Sequence, residues 1–165
     1  MSIFVIIKFE GMPTEIERKF LVGNDSYKLE GHSVYIHQGF LSTEKERVVR
    51  VRIAGKKAYI TVKGISKGIG RAEFEYKIPM ADAKFMLEHL CSGPTIEKNR
   101  YYINKEGFIW EVDEFLGDNA GLVIAEIELD SEDQDYPVPG WLGEEVTGDA
   151  RYYNAELVAR PFRSW

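Results

Sequence analysis

The 165-residue chain has one cysteine, Cys91, three histidines, and no apolar run near the ~20 residues a membrane helix needs. One cysteine excludes an intramolecular disulfide framework and suits a reducing, cytoplasmic setting. Cys91 lies in the apolar stretch MLEHLCSG and is expected to pack as a small hydrophobe. His32, His37 and His89 fit no metal-ligand spacing and are expected to be structural or surface residues. A basic excess is missing too: the net charge of −6 argues against a general nucleic-acid binder, although 21 Lys and Arg leave room for local basic surfaces. The apolar start, SIFVIIKF, is short, carries Lys8 and has neither a basic leader nor a small-residue cleavage site, so it does not read as a signal peptide. Residues 1–11 read as an extension, either an extra strand or sequence ahead of a natural start at Met12.

Hydrophobic (44%) and charged (29%) fractions are those of a globular protein, and the length suits one domain spanning 1–165. Periodicity predicts mostly strands: 14–22, 34–42, 47–54, 58–63, 71–78, 95–103, 108–115 and 122–129. One clear helix is predicted at 81–90, where Ala83, Met86, Leu87 and Leu90 form a stripe that Gly93-Pro94 ends. A short final helix is predicted over 149–159, and the acidic, Pro-rich stretch 130–140 is a loop. The GISKGIG segment (64–70) lacks the phosphate-loop pattern and reads as a hairpin tip. Tyr101, Tyr102, Trp110, Tyr152 and Tyr153 read as packing residues rather than base-stacking ones.

The charges carry the functional signal. Alternate strand residues point to opposite faces, so in TEIERKFLV (14–22) Glu15, Glu17 and Lys19 share one face and Ile16, Arg18, Phe20 and Val22 the other. The same parity groups Arg50 with Arg52, Lys63 with Thr61, Glu73 with Glu75, Lys98 with Arg100, Glu111 with Asp113, and Glu126 with Glu128. Alternation alone fits any sheet with one wet face. Sorting by sign does not, because like neighbours repel by up to ~1 kcal/mol unless an ion lies between them. A closed or nearly closed antiparallel barrel with a charged interior, its outer apolar faces covered by helices and loops, accounts for the pattern. Such a lumen must be wide, wet and occupied by counter-ions. Clustered carboxylates without Cys or paired His favour hard cations such as Mg²⁺ or Mn²⁺, and converging Lys and Arg favour a polyanion, with Arg suited to phosphate.

These residues resemble the CYTH superfamily, the triphosphate tunnel metalloenzymes, in Glu15-x-Glu17-x-Lys19, Gln38-Gly39-Phe40-Leu41, Arg50-x-Arg52, Thr61-Val-Lys63 and Glu73-x-Glu75. The likeness continues through Glu97-Lys98-x-Arg100-Tyr101, Glu111-x-Asp113, Glu126-x-Glu128 and Gly143-Glu-Glu-Val-Thr147 to Arg151-Tyr152. It implies an α+β, mainly β fold: an eight-stranded antiparallel barrel, or tunnel, with a few flanking helices. It implies a short bacterial inorganic triphosphatase, a metal-dependent phosphohydrolase that acts as a monomer or homodimer without nucleic acid or membrane. By the same resemblance Lys19, Arg50, Arg52, Lys63, Lys98, Arg100 and Arg151 hold phosphate, and Glu15, Glu17, Asp113, Glu126 and Glu128 hold one or two Mg²⁺ or Mn²⁺ ions. Glu73, Glu75 and Glu111 support them, and Glu17 and Lys19 serve the chemistry. Phe40 stands where many relatives have Tyr, so rate or substrate choice can differ; Tyr153 and Ala155 stand where relatives carry Lys, so one end of the phosphate chain is expected to be held less tightly. The alternatives are a class IV-type adenylyl cyclase, making cyclic AMP from ATP, and a polyphosphate- or nucleotide-binding module with little turnover.

Overall fold

The computed structural model describes residues 14–65 and 70–165. The N-terminal extension and most of the GISKGIG tip lie outside them. Among the described residues nine strands form one antiparallel sheet in the order β5-β4-β3-β2-β6-β7-β8-β1-β9. They are β1 (Thr14–Val22), β2 (His32–Ser42), β3 (Val48–Ala54), β4 (Lys57–Lys63), β5 (Gly70–Lys77), β6 (Ile96–Lys105), β7 (Phe108–Phe115), β8 (Val123–Glu128) and β9 (Leu142–Glu145). β1 closes the barrel. Its residues 17–21 pair with β8, while Thr14, Glu15 and Ile16 pair with Ala72, Arg71 and Gly70 of β5. The eight predicted strands are the eight staves, within a residue or two at most ends.

β9 was not expected. It takes up the edge of β1 that β5 leaves, pairing Phe20 with Glu145 and Val22 with Leu142. Gly143 makes this approach possible, because a Cβ there would stand 2.8 Å from the Leu21 carbonyl oxygen.

The packed core lies outside the barrel, as the parity requires. Trp110, wholly buried on the outer face of β7, meets Phe20, Trp141 and Tyr136 edge-on at ring-centroid distances of 5.7, 5.7 and 5.8 Å. Val112, Ala125, Ile127 and Leu129 complete this cluster beneath the 130–141 loop and Tyr27. Large side chains buried this way stabilise by about 1.5–3 kcal/mol each.

α1 (Met80–His89) lays Ala83 and Leu87 on Val51 and Ala58 of β3 and β4. It is capped by Leu90, whose N–H donates to the Met86 carbonyl, and Gly93 at φ +83° then turns the chain away. Cys91 packs as a small hydrophobe here: it is half-buried, and burial pushes its thiol pKa up. The structure also explains the glycine beside Phe40. Gly39 faces outward under α1, and a Cβ at that position would lie 2.6 Å from Cys91 Sγ and 3.1 Å from Leu87. Gly39→Ala is therefore expected to cost about 1–3 kcal/mol through overpacking, read as a lowered Tm. An unchanged Tm would show that α1 shifts freely.

The final segment is two pieces. A 3-10 turn covers Ala150–Tyr152 and α2 covers Asn154–Ala159. Tyr153 between them is extended (φ −74°, ψ 134°), so the single helix expected over 149–159 is interrupted. Leu157 of α2, with Val146 and Tyr152, seals one end of the barrel against Phe40, Ile96, Phe115 and Ile124.

Candidate active site

Inside the barrel lies a cavity of about 850 Å³, lined by side chains from all eight staves, β1 to β8, and by the start of α2. Glu15, Glu17, Lys19, Arg50, Arg52, Lys63, Glu73, Glu75, Arg100, Glu111, Glu126 and Glu128 all face it, and Phe40 forms part of its wall. Lys98 and Asp113 sit deeper, both fully buried beside Arg100.

Strand register explains the wiring. Arg100 lies opposite Asp113 on β7, and its Nε and Nη2 donate to the two carboxylate oxygens at 2.6 and 2.7 Å. The same guanidinium bonds Glu111 and reaches Glu126 at 3.2 Å. Lys98 donates to Asp113 as well. Burial would raise the Asp113 carboxyl, but Arg100 and Lys98 outweigh it and hold the pKa below the usual carboxylate range. Burial pushes the Lys98 ammonium down to about 8, with Arg100 adding to the effect and Asp113 opposing it.

Lys19 lies opposite Glu126 and donates to it, and pairs with Glu17 at 2.9 Å. Burial alone would lower the Lys19 pKa; Glu126 and Glu17 together raise it above the ordinary lysine value. On the other side, Lys63 holds Glu15 at 2.8 Å and Glu73 at 2.7 Å. Arg52 donates to both oxygens of Glu75, and Thr61 links Arg50 to the same carboxylate.

Glu128 is the exception. It forms no ion pair among the described residues, and partial burial followed by Glu15, Glu73, Glu111 and Glu17 raises its carboxyl pKa. Crowding of carboxylates about an acid that lacks its own cation is the electrostatic condition a hard metal ion relieves. The oxygen-only donor set around Glu128 therefore fits Mg²⁺ or Mn²⁺ in chemistry. No group of three acidic, His or Cys side chains among the described residues is already drawn together as a cage. Most of the carboxylates are instead held by Lys and Arg.

Three residues stand apart from the sequence reading. Arg71 was not singled out. It lines the cavity, donates from Nε to Glu15 at 2.9 Å and reaches Glu17 at 3.4 Å. Its strand parity with Glu73 and Glu75 was the available signal. Gln38 is wholly buried on the same strand parity as Phe40, with neither end of its amide partnered among the described residues. Arg151, expected to reach the tunnel, lies outside the cavity lining. It is 61% exposed, pairs with Asp149 at 2.6 Å and covers the rings of Tyr152 and Trp165.

The histidines make no cluster. His37 shares a hydrogen bond with Thr95, His32 stacks on Tyr102, and His89 tilts against Phe85. Tyr101 packs edge-on against Tyr27 and Trp110 lies in the outer core, whereas Tyr153 lines the cavity. No helix among the described residues is long and apolar enough to cross a membrane.

A closed antiparallel barrel with inward-facing carboxylates, lysines and arginines defines the class, and the CYTH domain matches residues 13–162; the chain belongs to this family. Among its relatives is an inorganic triphosphatase of Acetivibrio thermocellus, 52% identical over 154 residues that cover 93% of this chain and 99% of the relative. An inorganic triphosphatase of Nitrosomonas europaea is 38% identical, covering 88% of this chain and 97% of the relative. A solved inorganic triphosphatase structure superposes with a TM-score of 0.62 at 37% identity, covering 89% of this chain and 95% of that one.

Proposed function

We propose that this protein hydrolyses a triphosphate, inorganic tripolyphosphate before nucleotides, to diphosphate and phosphate inside the barrel, with a divalent cation. The observation that carries the reading is the sign-sorted lining: guanidinium and ammonium groups on β3, β4 and β6 face carboxylates on β1, β5, β7 and β8 across one cavity. Relatives named inorganic triphosphatase, matched over nearly their whole length, support it.

Arg50, Arg52, Lys63, Lys98 and Arg100 are assigned to the phosphate oxygens, where guanidinium groups bind in two-point fashion. Each now holds a carboxylate or the Thr61 hydroxyl, so an entering polyanion exchanges one set of oxygens for another. Glu15, Glu17 and Glu128, with Glu126 and Asp113 deeper, are assigned to Mg²⁺ or Mn²⁺, and Glu73, Glu75 and Glu111 support them. A bound cation of this type neutralises charge on phosphate oxygens and eases deprotonation of a bound water.

In the reaction, a water oxygen bonds to the terminal phosphorus and the bridging P–O bond breaks. The water's proton passes to a carboxylate of the Glu17 and Glu128 cluster, and diphosphate leaves. Lys19, kept protonated by Glu126 and Glu17, is assigned to steady the oxygen that gains charge. Arg151 keeps no assigned role in this scheme.

A ³¹P NMR assay with Mg²⁺ or Mn²⁺ tests the proposal. Tripolyphosphate is expected to yield diphosphate and phosphate in equal amounts. Cyclic AMP and diphosphate from ATP would instead establish a cyclase, and binding without product would establish a binding module.

A further inference from the structure

We infer that Arg71 is the cation that a divalent metal displaces, and that it then becomes a ligand of the substrate's phosphate chain. The inference rests on the triphosphatase reading and adds a residue to it. Glu15 and Glu17 are each held twice. Glu15 accepts from Lys63 and Arg71, while Glu17 is paired with Lys19 and Arg71. Lys63 covers both oxygens of Glu15 and Arg71 shares its Oε2, so a divalent ion that takes Glu15 competes directly with these cations, whereas on Glu17 Lys19 and Arg71 share Oε1.

The three candidates to leave are not equivalent. Lys63 also holds Glu73 at 2.7 Å, and Lys19 also holds Glu126, so each lysine keeps a carboxylate if it yields one. Among the described residues Arg71 pairs only with Glu15 and Glu17, the two groups the metal would claim. It is also the loosest of the three: its side chain is 23% exposed, against 7% for Lys19 and 9% for Lys63. Its 3.4 Å contact with Glu17 is long, so that end is already weakly held.

Once released, the guanidinium remains on β5 at the cavity wall, directly across the sheet from Glu15. That places a fork of donors beside the cation the carboxylates would then carry. A divalent cation held by Glu15 and Glu17 would draw phosphate oxygens towards this wall, where the guanidinium fork would be free to bind them, and phosphate is the anion its geometry suits. Metal loading would thus expose a phosphate-binding group that the metal-free tunnel keeps occupied.

The test titrates Mn²⁺ into the substrate-free protein, followed by the EPR signal of free Mn²⁺, and separately measures tripolyphosphate kinetics. Arg71→Gln removes the competing charge, so Mn²⁺ is expected to bind about 3- to 10-fold more tightly than to the wild type. The same variant is expected to raise KM for tripolyphosphate about 10-fold, with a smaller change in kcat. Arg71→Lys, which keeps the charge, is expected to bind Mn²⁺ within about twofold of the wild type and to recover part of the KM. Opposite movement of metal and substrate affinity is an outcome a purely structural arginine would not give. Mn²⁺ binding to Arg71→Gln that is unchanged or weaker overturns the inference. A wild type that leaves tripolyphosphate intact overturns the triphosphatase reading instead, while the Mn²⁺ titration, which needs no substrate, still judges the exchange.

Discussion

Glu128→Gln is expected to lower triphosphatase turnover by about 100-fold or more while leaving the fold intact or slightly more stable. The activity loss follows from chemistry: an amide oxygen carries no charge, and several kcal/mol of charge stabilisation at a metal-bound phosphoryl group corresponds to a factor of that size. The stability gain follows from the surroundings. Partial burial and four neighbouring carboxylates raise the folded-state pKa of Glu128 above its unfolded value. A carboxyl shifted upward is paid for at neutral pH, where it is ionised, and the cost vanishes below pH ~4, where both states are protonated. The variant should therefore melt higher than the wild type at pH 7, and the difference should fade towards pH 4. Because the side chain opens onto solvent, the gain is screened to a few tenths of a kcal/mol. Steady-state kinetics with saturating Mg²⁺ and melting curves at the two pH values check both parts. Turnover within about threefold of the wild type would remove Glu128 from the metal-holding set.

The barrel was legible because strand parity is a strict rule and the charges obey it. A residue two positions from Glu15 must share its face, and in β1 Glu17 and Lys19 do. The same rule placed the inward charges of β3 to β8 without any knowledge of which strand neighbours which. Parity cannot report distance across the lumen, so the pairing of Lys19 with Glu126 or of Lys63 with Glu15 had to come from the closed structure. Arg71 shares the parity of Glu73 and Glu75 but is separated by them from the other cation of that face, Lys77, so sorting by adjacent like charge passes over it. β9 escaped because LGEE has no apolar alternation; its pairing comes from the edge of β1 rather than from its own side chains. Arg151 lies outside the strands, where parity gives no direction. Its position near Tyr152 suggested the tunnel, but the break at Tyr153 separates the 3-10 turn from α2, and its guanidinium finds Asp149 two residues away.

Arg100→Met is expected to destabilise the protein by about 3–5 kcal/mol, lowering Tm by roughly 10 °C at pH 7. The methionine fills much of the same volume, so the loss is electrostatic. Asp113 is wholly buried and takes two hydrogen bonds from this guanidinium. Glu111 and Glu126 lose the same partner, leaving Lys98 to face Asp113 and Lys19 to face Glu126. The pH dependence gives the cause away. In the wild type Asp113 has a folded pKa below its unfolded value, so its contribution is present above pH ~4 and is lost as the pH falls further. Without Arg100 the burial cost is offset by Lys98 alone, and the carboxyl pKa moves upward. The penalty of the variant is then greatest at neutral pH and shrinks as acid protonates Asp113, so the Tm gap should narrow between pH 7 and pH 4.5. Adding Asp113→Asn to Arg100→Met should recover part of the loss at pH 7, because it removes the stranded charge. A Tm gap of under about 2 °C, or one that widens in acid, would mean that Lys98 alone neutralises Asp113 and that the Arg100 guanidinium is held in the barrel for substrate rather than for the fold.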